Sequence, residues 1–111
     1  PFAAIYAART RADISGDAST SFQPWRRLSA VEALRLHTHA PSVAAGLGDR
    51  RGYLAPGMDA DFIVVDVDPY VAKGLIDDEA EAGPEGLLGY ESEEALFAHA
   101  EAIREARVFL T

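Results

Sequence analysis

The sequence predicts an α+β fold that is a fragment of a larger domain, and three observations lead to this prediction. Residues 29–32 (SAVE) form a capping box, in which Ser and Glu side chains satisfy backbone amides at the start of a helix. Residues 62–65 (FIVV) form an unbroken apolar run between aspartates, as expected of a buried strand. The chain begins at Pro1 and ends at Thr111 directly after another apolar run, so we expect the domain to extend beyond both ends.

The first helix is predicted over residues 1–11. Proline suits the first helical position, because a helix does not use the N–H that proline lacks there. Long or apolar side chains then recur at helical spacing, at Phe2, Ile5, Tyr6 and Arg9. Residues 12–27 are predicted to be a long loop because they are rich in Ser, Gly, Asp and Pro, and such loops are usually functional or mobile.

The capping box predicts that the second helix starts at Ala30. Its apolar side is predicted to use Val31, Ala33, Leu34 and His37. Pro41 is expected to end this helix, because its ring removes a donor and restricts the preceding residue. Proline can also open a helix, so a short third helix is predicted over residues 42–46, ended by Gly46 or Gly48.

The strands are predicted in the second half of the chain. Residues 53–55 are interpreted as a short strand, and Pro56 and Gly57 as a turn with glycine at its third position. Because the run 62–65 lacks polar alternation, we expect both of its faces to be covered.

An acidic, glycine-rich stretch over residues 77–91 predicts an exposed insertion. Ser92 is predicted to cap a last helix that runs to about residue 106. A second strand is predicted over residues 107–111.

Composition and charge limit the classes of function. The content of 49% hydrophobic and 25% charged residues is that of a globular protein, and no apolar run is long enough to span a membrane. With no cysteine, the chain has neither disulfides nor thiolate metal sites, and we expect a soluble, cytoplasmic protein. The net charge of −8 argues against nucleic acid or an anionic membrane as a partner. Homo-oligomerisation stays open.

The charge is unevenly distributed along the sequence. Residues 1–57 carry seven arginines and four acids, a net charge of +3, whereas residues 58–111 carry three bases and fourteen acids, a net charge of −11. The two halves are therefore expected to have different surroundings.

The pair His37 and His39 is the first candidate for a metal site. Side chains two residues apart share a face on a strand but diverge on a helix, and the capping box predicts a helix here. No third ligand follows at a suitable spacing, so we predict no metal ligand in this chain. His37 is instead expected to pack on the core and His39 to be more exposed.

The third histidine, His99, is predicted to lie on the last helix among glutamates that would raise its proton affinity: Glu94, Glu101 and Glu105. We expect a surface histidine. A small hydrolase that works through all three histidines is a weaker hypothesis, which loss of activity in His39→Ala would support.

Four aspartates surround the predicted strand: Asp59, Asp61, Asp66 and Asp68. They lack the central glycine and final glutamate of a calcium loop, so we interpret them as turn and strand-end residues. Asp61 is expected to accept backbone N–H bonds in the turn. Neither a nucleophilic serine motif nor a phosphate-binding glycine loop is present, so no catalytic residue is predicted.

The most site-like cluster is Trp25 with Arg26 and Arg27 at the end of the long loop. One aromatic face and two cations are suited to an anionic or planar ligand, which makes Trp25 and Arg26 candidate substrate-binding residues. The alternative is that Trp25 anchors the loop on the core.

Several stretches carry a resemblance to one known family: residues 29–38 (SAVEALRLHT), 41–46 (PSVAAG), 52–66 (GYLAPGMDADFIVVD), 1–10 (PFAAIYAART) and 107–111 (RVFLT). They resemble the C-terminal part of the amidohydrolase superfamily, particularly its amidohydrolase 3 group. Met58 stands where that group usually has Lys, and Ala40 where Asn is frequent.

The resemblance implies a (β/α)8 barrel with a divalent metal, expected to be zinc, and a small composite β-sandwich. Residues 1–48 would be the last barrel helices with the loop at 12–27. Residues 49–111 would be part of the sandwich, with the insertion and helix near 70–106.

The implied activity of the parent enzyme is hydrolysis of non-peptide C–N bonds in amides or cyclic amides, by metal-activated water on a small-molecule substrate. The family's metal ligands map onto no residue of this chain, so the fragment itself is expected to be structural and inactive. The alternative is a non-enzymatic interaction or assembly module.

Overall fold

The computed structural model describes residues 1–69 and 93–110, which form a small α+β structure, as predicted. The regular elements in chain order are α1 (Phe2–Thr10), α2 (Ala30–Arg35), α3 (His39–Ala44), β1 (Val64–Val65), α4 (Glu93–Arg104) and β2 (Val108–Leu110). Two short 3-10 turns lie between α1 and α2, at Ala18–Thr20 and Pro24–Arg26. The predicted acidic insertion and the cap at Ser92 lie outside the described residues.

Helix α1 matches its prediction closely but begins one residue later. Pro1 is the N-cap residue, and its carbonyl accepts the amide of Ile5 at 2.9 Å. The helix ends at Arg11, which adopts a left-handed conformation with φ 59° and donates its amide to the Ala7 carbonyl at 2.8 Å. The buried side of the helix consists of Ile5, Tyr6, Arg9 and Thr10.

The capping box of α2 is confirmed. The Ser29 hydroxyl accepts the Glu32 amide at 3.1 Å, and the Glu32 carboxylate accepts the Ser29 amide at 2.8 Å. Ala33 is fully buried as predicted, but Val31 and His37 are exposed. Only a narrow side of this short helix therefore faces the core.

The break between α2 and α3 lies earlier than predicted. Helix α2 already ends at Arg35, and α3 begins at His39, so Pro41 lies inside the first turn of α3. A proline is tolerated there because the first-turn amides have no partner within a helix. Gly46 ends α3 as predicted: with φ 73° it donates to Val43, and Leu47 donates to Ser42, which is the Schellman arrangement.

The strands are shorter than predicted. Val64 lies opposite Leu110 and Val65 opposite Val108 in an antiparallel pair with an irregular register between them. Residues 62 and 63 precede the strand, and residues 53–55 do not form one. The turn at Pro56 and Gly57 is confirmed, because Gly57 has φ 86° and the Met58 amide donates to the Ala55 carbonyl.

The core lies where α1 packs against α2 and α4. Ile5, Ala33 and Ile103 form its centre, and Phe2, Ala8, Leu28, Leu34 and Val67 pack around it. On α4, Leu96 and Ala100 are also fully buried. The described core thus joins residues almost one hundred positions apart in sequence.

The expectation that the run 62–65 is covered on both faces is not met by the described residues. Phe62, Ile63 and Val64 are 47%, 51% and 45% exposed. Two strands with one irregular step between them cannot enclose a face of their own. None of the helices in residues 1–69 and 93–110 has the length and apolarity needed to cross a membrane.

Candidate functional site

The long loop between α1 and α2 is held firmly against α1. The Tyr6 hydroxyl donates to the Asp13 carbonyl at 3.0 Å, and the Ser21 hydroxyl donates to the Thr10 carbonyl at 3.0 Å. The loop returns beside α1 through a backbone bond from the Phe22 amide to the Arg11 carbonyl at 2.9 Å. Its conformation is therefore fixed at both ends.

Arg27 is a structural residue and does not belong to an open ligand site. Its side chain is almost completely buried and donates to the Thr10 carbonyl, the Ser21 hydroxyl and the Glu93 carboxylate, each at 3.1 Å. The guanidinium also lies 5.5 Å from the centre of the Phe97 ring. Arg27 thus links α1, the loop and α4.

Trp25 and Arg26, in the turn that directly precedes Arg27, are both exposed. Trp25 is 66% exposed, so it does not anchor the loop on the described core. The Arg26 side chain is exposed and makes no hydrogen bond or ion pair with a described residue. The structure therefore separates the three residues of the predicted cluster and leaves Trp25 and Arg26 as its candidate site.

The turn that carries Trp25 starts from an unusual backbone conformation. Gln23 has φ 52°, in the left-handed region that non-glycine residues seldom adopt. Such conformations persist where the surroundings impose them, and they are common at functional sites. Here Gln23 redirects the chain into the 3-10 turn Pro24–Arg26 and places Trp25 in solvent.

A second open region is a groove of about 990 Å³ between α3 and residues 51–54 and 61–63. We call it the histidine groove; His37 and His39 both line it. The His37 Nδ1 bonds the Ala33 carbonyl at 2.8 Å, and the His39 ring meets the Tyr53 ring edge-on at 5.3 Å.

The predicted environments of these histidines were wrong, in opposite senses. His37 is exposed, whereas His39 is half-buried with its Nδ1 shielded from solvent. The cause is the early end of α2, which places His37 in a turn and makes His39 the first residue of α3. No group of three or more potential ligands that could hold a metal ion occurs within residues 1–69 and 93–110.

His99 is buried, and its prediction as a surface residue was wrong. It is 5% exposed because it lies on the face of α4 that also carries Leu96 and Ile103 and packs against α1. Its Nδ1 contacts the Arg9 guanidinium, and its Nε2 lies 2.9 Å from the Asp68 carbonyl. Burial lowers the pKa of His99, an effect that the nearby Arg9 charge reinforces, against the opposing effect of Asp68.

Burial has a similar effect on Arg9. It lowers the pKa of the Arg9 guanidinium to about 10, so this group is still charged at neutral pH. The sequence placed Arg9 on the apolar side of α1 and His99 on the last helix, but it did not pair the two. Helical periodicity could have indicated that each residue lies on a buried side, but not that the two side chains meet.

Among the four aspartates, Asp59 forms ion pairs with Arg50 and Arg51, and Asp66 forms one with Arg107 at 4.0 Å. The Arg51 guanidinium, 3.0 Å away, and the nearby Arg50 hold the pKa of the Asp59 carboxyl below its usual range. The Asp66 carboxylate accepts the Arg107 amide at 2.8 Å and so ties β1 to the start of β2. Asp61 is exposed, and its carboxylate accepts no hydrogen bond from the described residues, contrary to the predicted turn role.

Comparison with known protein families matches residues 1–85 to the amidohydrolase family. No curated protein and no solved structure matches the chain. The matched region contains α1, the loop with Trp25, helices α2 and α3, and strand β1. Since it covers more than half of the 111 residues, the chain belongs to the amidohydrolase family.

Proposed function

We propose that this chain is the C-terminal portion of a metal-dependent amidohydrolase that hydrolyses non-peptide C–N bonds in amides or cyclic amides. The observation that carries the proposal is the family match over residues 1–85. Amidohydrolases generally depend on a divalent metal, which activates water for attack on the amide carbon. In this proposal the chain supplies the last helices of a (β/α)8 barrel and strands of a composite β-sandwich.

The residues that the structure describes do not fit the metal of such an enzyme. No cluster with enough His, Asp or Glu ligands occurs in the described ranges, and the Nδ1 of His37 is engaged by a backbone carbonyl. We therefore assign no hydrolytic step to the described residues, and zinc, the metal we propose, would be held by other parts of the enzyme.

Within that enzyme we propose that Trp25 and Arg26 form one wall of the substrate site. Active sites of (β/α)8 barrels lie at the face formed by the loops after the strands. In this proposal the loop over residues 12–27, which joins α1 to α2, reaches that face. The exposed indole offers a flat apolar surface, and the guanidinium offers donors for a carbonyl or carboxylate. The fixed loop would hold both groups ready for a small molecule.

Metal binding by the 111-residue chain tests the first part of the proposal. We expect isothermal titration with zinc to give no stoichiometric complex and the isolated chain to hydrolyse no amide. A one-to-one zinc complex that His37→Gln or His39→Gln abolishes would overturn it.

Kinetics of the enzyme that contains this chain test the second part. Trp25→Ala and Arg26→Ala are expected to raise KM about tenfold or more, as loss of one or two good contacts does, while kcat changes less. Arg35→Ala, on the exposed side of α2, is the matched control and should leave both parameters unchanged. Unaltered KM in both loop variants would exclude the loop from the substrate site.

An assembly module is the second candidate function, and the exposed apolar run at residues 62–64 favours it. Light scattering at several concentrations discriminates between the two. A portion of a larger enzyme is expected to associate progressively with concentration, whereas a dedicated module should give one defined species throughout.

A further inference from the structure

In the buried junction between α1, α4 and the segment after β1, both ring nitrogens of one imidazole contact described groups. Arg9 projects from α1, His99 from α4, and Asp68 follows β1. Both Arg9 and His99 are buried. This junction is separate from Trp25, Arg26 and the histidine groove.

The partners of His99 specify one protonation state. A guanidinium has only donors, so the His99 Nδ1 that it contacts must accept. A carbonyl oxygen only accepts, so the Nε2 beside Asp68 must carry the hydrogen. The ring is therefore the neutral Nε2–H form, and a proton added at Nδ1 would remove the acceptor that Arg9 uses.

Among the described residues, the charged groups near His99 have unequal effects on that proton. From α1 the facing charge is Arg9, and from the segment after β1 it is Asp68, whose carboxylate favours the imidazolium. On α4 itself, Glu101 and Arg104 form an ion pair with each other. Arg9 is the group in direct contact with Nδ1, so protonation would place two cations against each other in a buried site.

We propose that His99 is an acid-sensitive lock, which joins α1 to α4 and to the segment carrying Asp68 while it is neutral and releases them when it is protonated. The lock holds the start of the loop that carries Trp25, because α1 ends at the residue where that loop begins. A fall in pH therefore weakens the packing of α1 where the loop with Trp25 begins, although neither Trp25 nor Arg26 is itself protonated or deprotonated.

The direction of the pH effect follows from linkage. His99 has a lowered pKa in the folded chain, so below pH 6.5 the unfolded chain binds more protons than the folded one. The contribution of His99 to stability is complete above pH 6.5 and is lost as the pH falls toward the folded pKa. Each unit of pKa lowering corresponds to a tenfold decrease in the folding equilibrium constant at the acid limit.

Nitrogen NMR of the imidazole rings in the 111-residue chain tests the assignment directly. We expect the shifts of His99 at pH 7.5 to show a protonated Nε2 and an unprotonated Nδ1, and its titration midpoint to lie below 6.5. A protonated Nδ1 at that pH, or a midpoint at or above 6.5, would overturn the proposal even if every variant misfolded.

Variants then test the consequence. In His99→Gln the amide oxygen can accept from Arg9 and the amide nitrogen can donate to Asp68, but the side chain does not titrate. Between pH 7.5 and 5, the protection factors of the α1 amides, which correct each exchange rate for the slower intrinsic exchange at low pH, should fall in the original chain and substantially less in His99→Gln. His37→Gln, at an exposed position outside the junction, should retain the full acid response; an equal loss of protection in all three chains would contradict the lock.

Discussion

At the scale of single residues, the two adjacent arginines Arg26 and Arg27 have opposite roles. The Arg27 side chain makes three hydrogen bonds from a buried position. The Arg26 side chain is exposed and makes no polar contact within the described part of the chain. A hydrogen bond that involves a charged group is worth about 1.5–3 kcal/mol when its loss leaves a buried partner unsatisfied.

We expect Arg27→Met to lower the free energy of unfolding by about 2 kcal/mol, because the Thr10 carbonyl and the Ser21 hydroxyl would lose their donor. The Glu93 ion pair adds little, since that carboxylate is half exposed. Arg26→Met is the matched control and should stay within about 0.5 kcal/mol. Urea denaturation measures both; equal losses would refute the division of roles.

The sequence identified Trp25, Arg26 and Arg27 as a cluster, but it could not show which of the three side chains is buried. Burial of Arg27 depends on Thr10, Ser21 and Glu93, and Glu93 lies sixty-six positions away. Likewise, the pairing of Arg9 with His99 spans ninety positions. Local spacing determines which side of a helix a residue occupies, but not which partner meets it there.

At the scale of single elements, α2 depends strongly on its cap. It has only six residues, so few internal bonds compensate for a lost terminal one. We expect Ser29→Ala to cost about 1 kcal/mol of stability, because the Glu32 amide loses its acceptor. Ser29→Asp can still cap the helix and should retain most of that stability. If Ser29→Ala and Ser29→Asp did not differ in thermal or urea unfolding, the capping role of Ser29 would be contradicted.

Gly52 governs how closely residues 51–54 approach α3. It has φ 110°, and a Cβ there would lie 2.9 Å from both the His39 Cα and the Ser42 Oγ. Gly46 also has a positive φ, at 73°, but a Cβ there meets nothing within 4 Å. Comparing substitutions at the two glycines therefore distinguishes the cost of backbone strain from the cost of steric contact.

We expect Gly46→Ala to cost about 1–2 kcal/mol from backbone strain alone. Gly52→Ala should cost about 1–3 kcal/mol more, because the added methyl group must displace the backbone of α3. Chemical denaturation of both variants gives the difference. A smaller loss at Gly52 than at Gly46 would show that the segment does not contact α3.

Elements with strong local signals were predicted well, and those that depend on distant partners were not. The capping box fixed the start of α2 and Gly46 the end of α3, since both act within one turn. The strand predicted over residues 62–65 has only two residues in the structure, because its length is determined by pairing with β2, which is distant in sequence. The proline rule failed at Pro41 because a first-turn proline is compatible with a helix.

At the scale of the whole molecule, exposed apolar residues and net charge have opposite effects on association between chains. The run at Phe62, Ile63 and Val64 favours association, and the net charge of −8 opposes it. We expect the chain to associate more strongly at high salt, where charge repulsion is screened.

Phe62→Ser should weaken that association, because it removes a large exposed ring from the run. Trp25→Ser removes a ring of greater exposure at a different place and is the matched control. Sedimentation velocity at low and high salt measures both. If Trp25→Ser reduced association as much as Phe62→Ser, the run would not be the associating surface.

The packing of Ile5 against Ile103 also has a consequence for biosynthesis. Chains emerge from the ribosome in order, and early segments usually fold first. Here α1 leaves the ribosome long before its partner α4 is translated, so the contact between Ile5 and Ile103 cannot form until nearly the whole described chain has been made. Formation of this core is thus a late event on the translating ribosome.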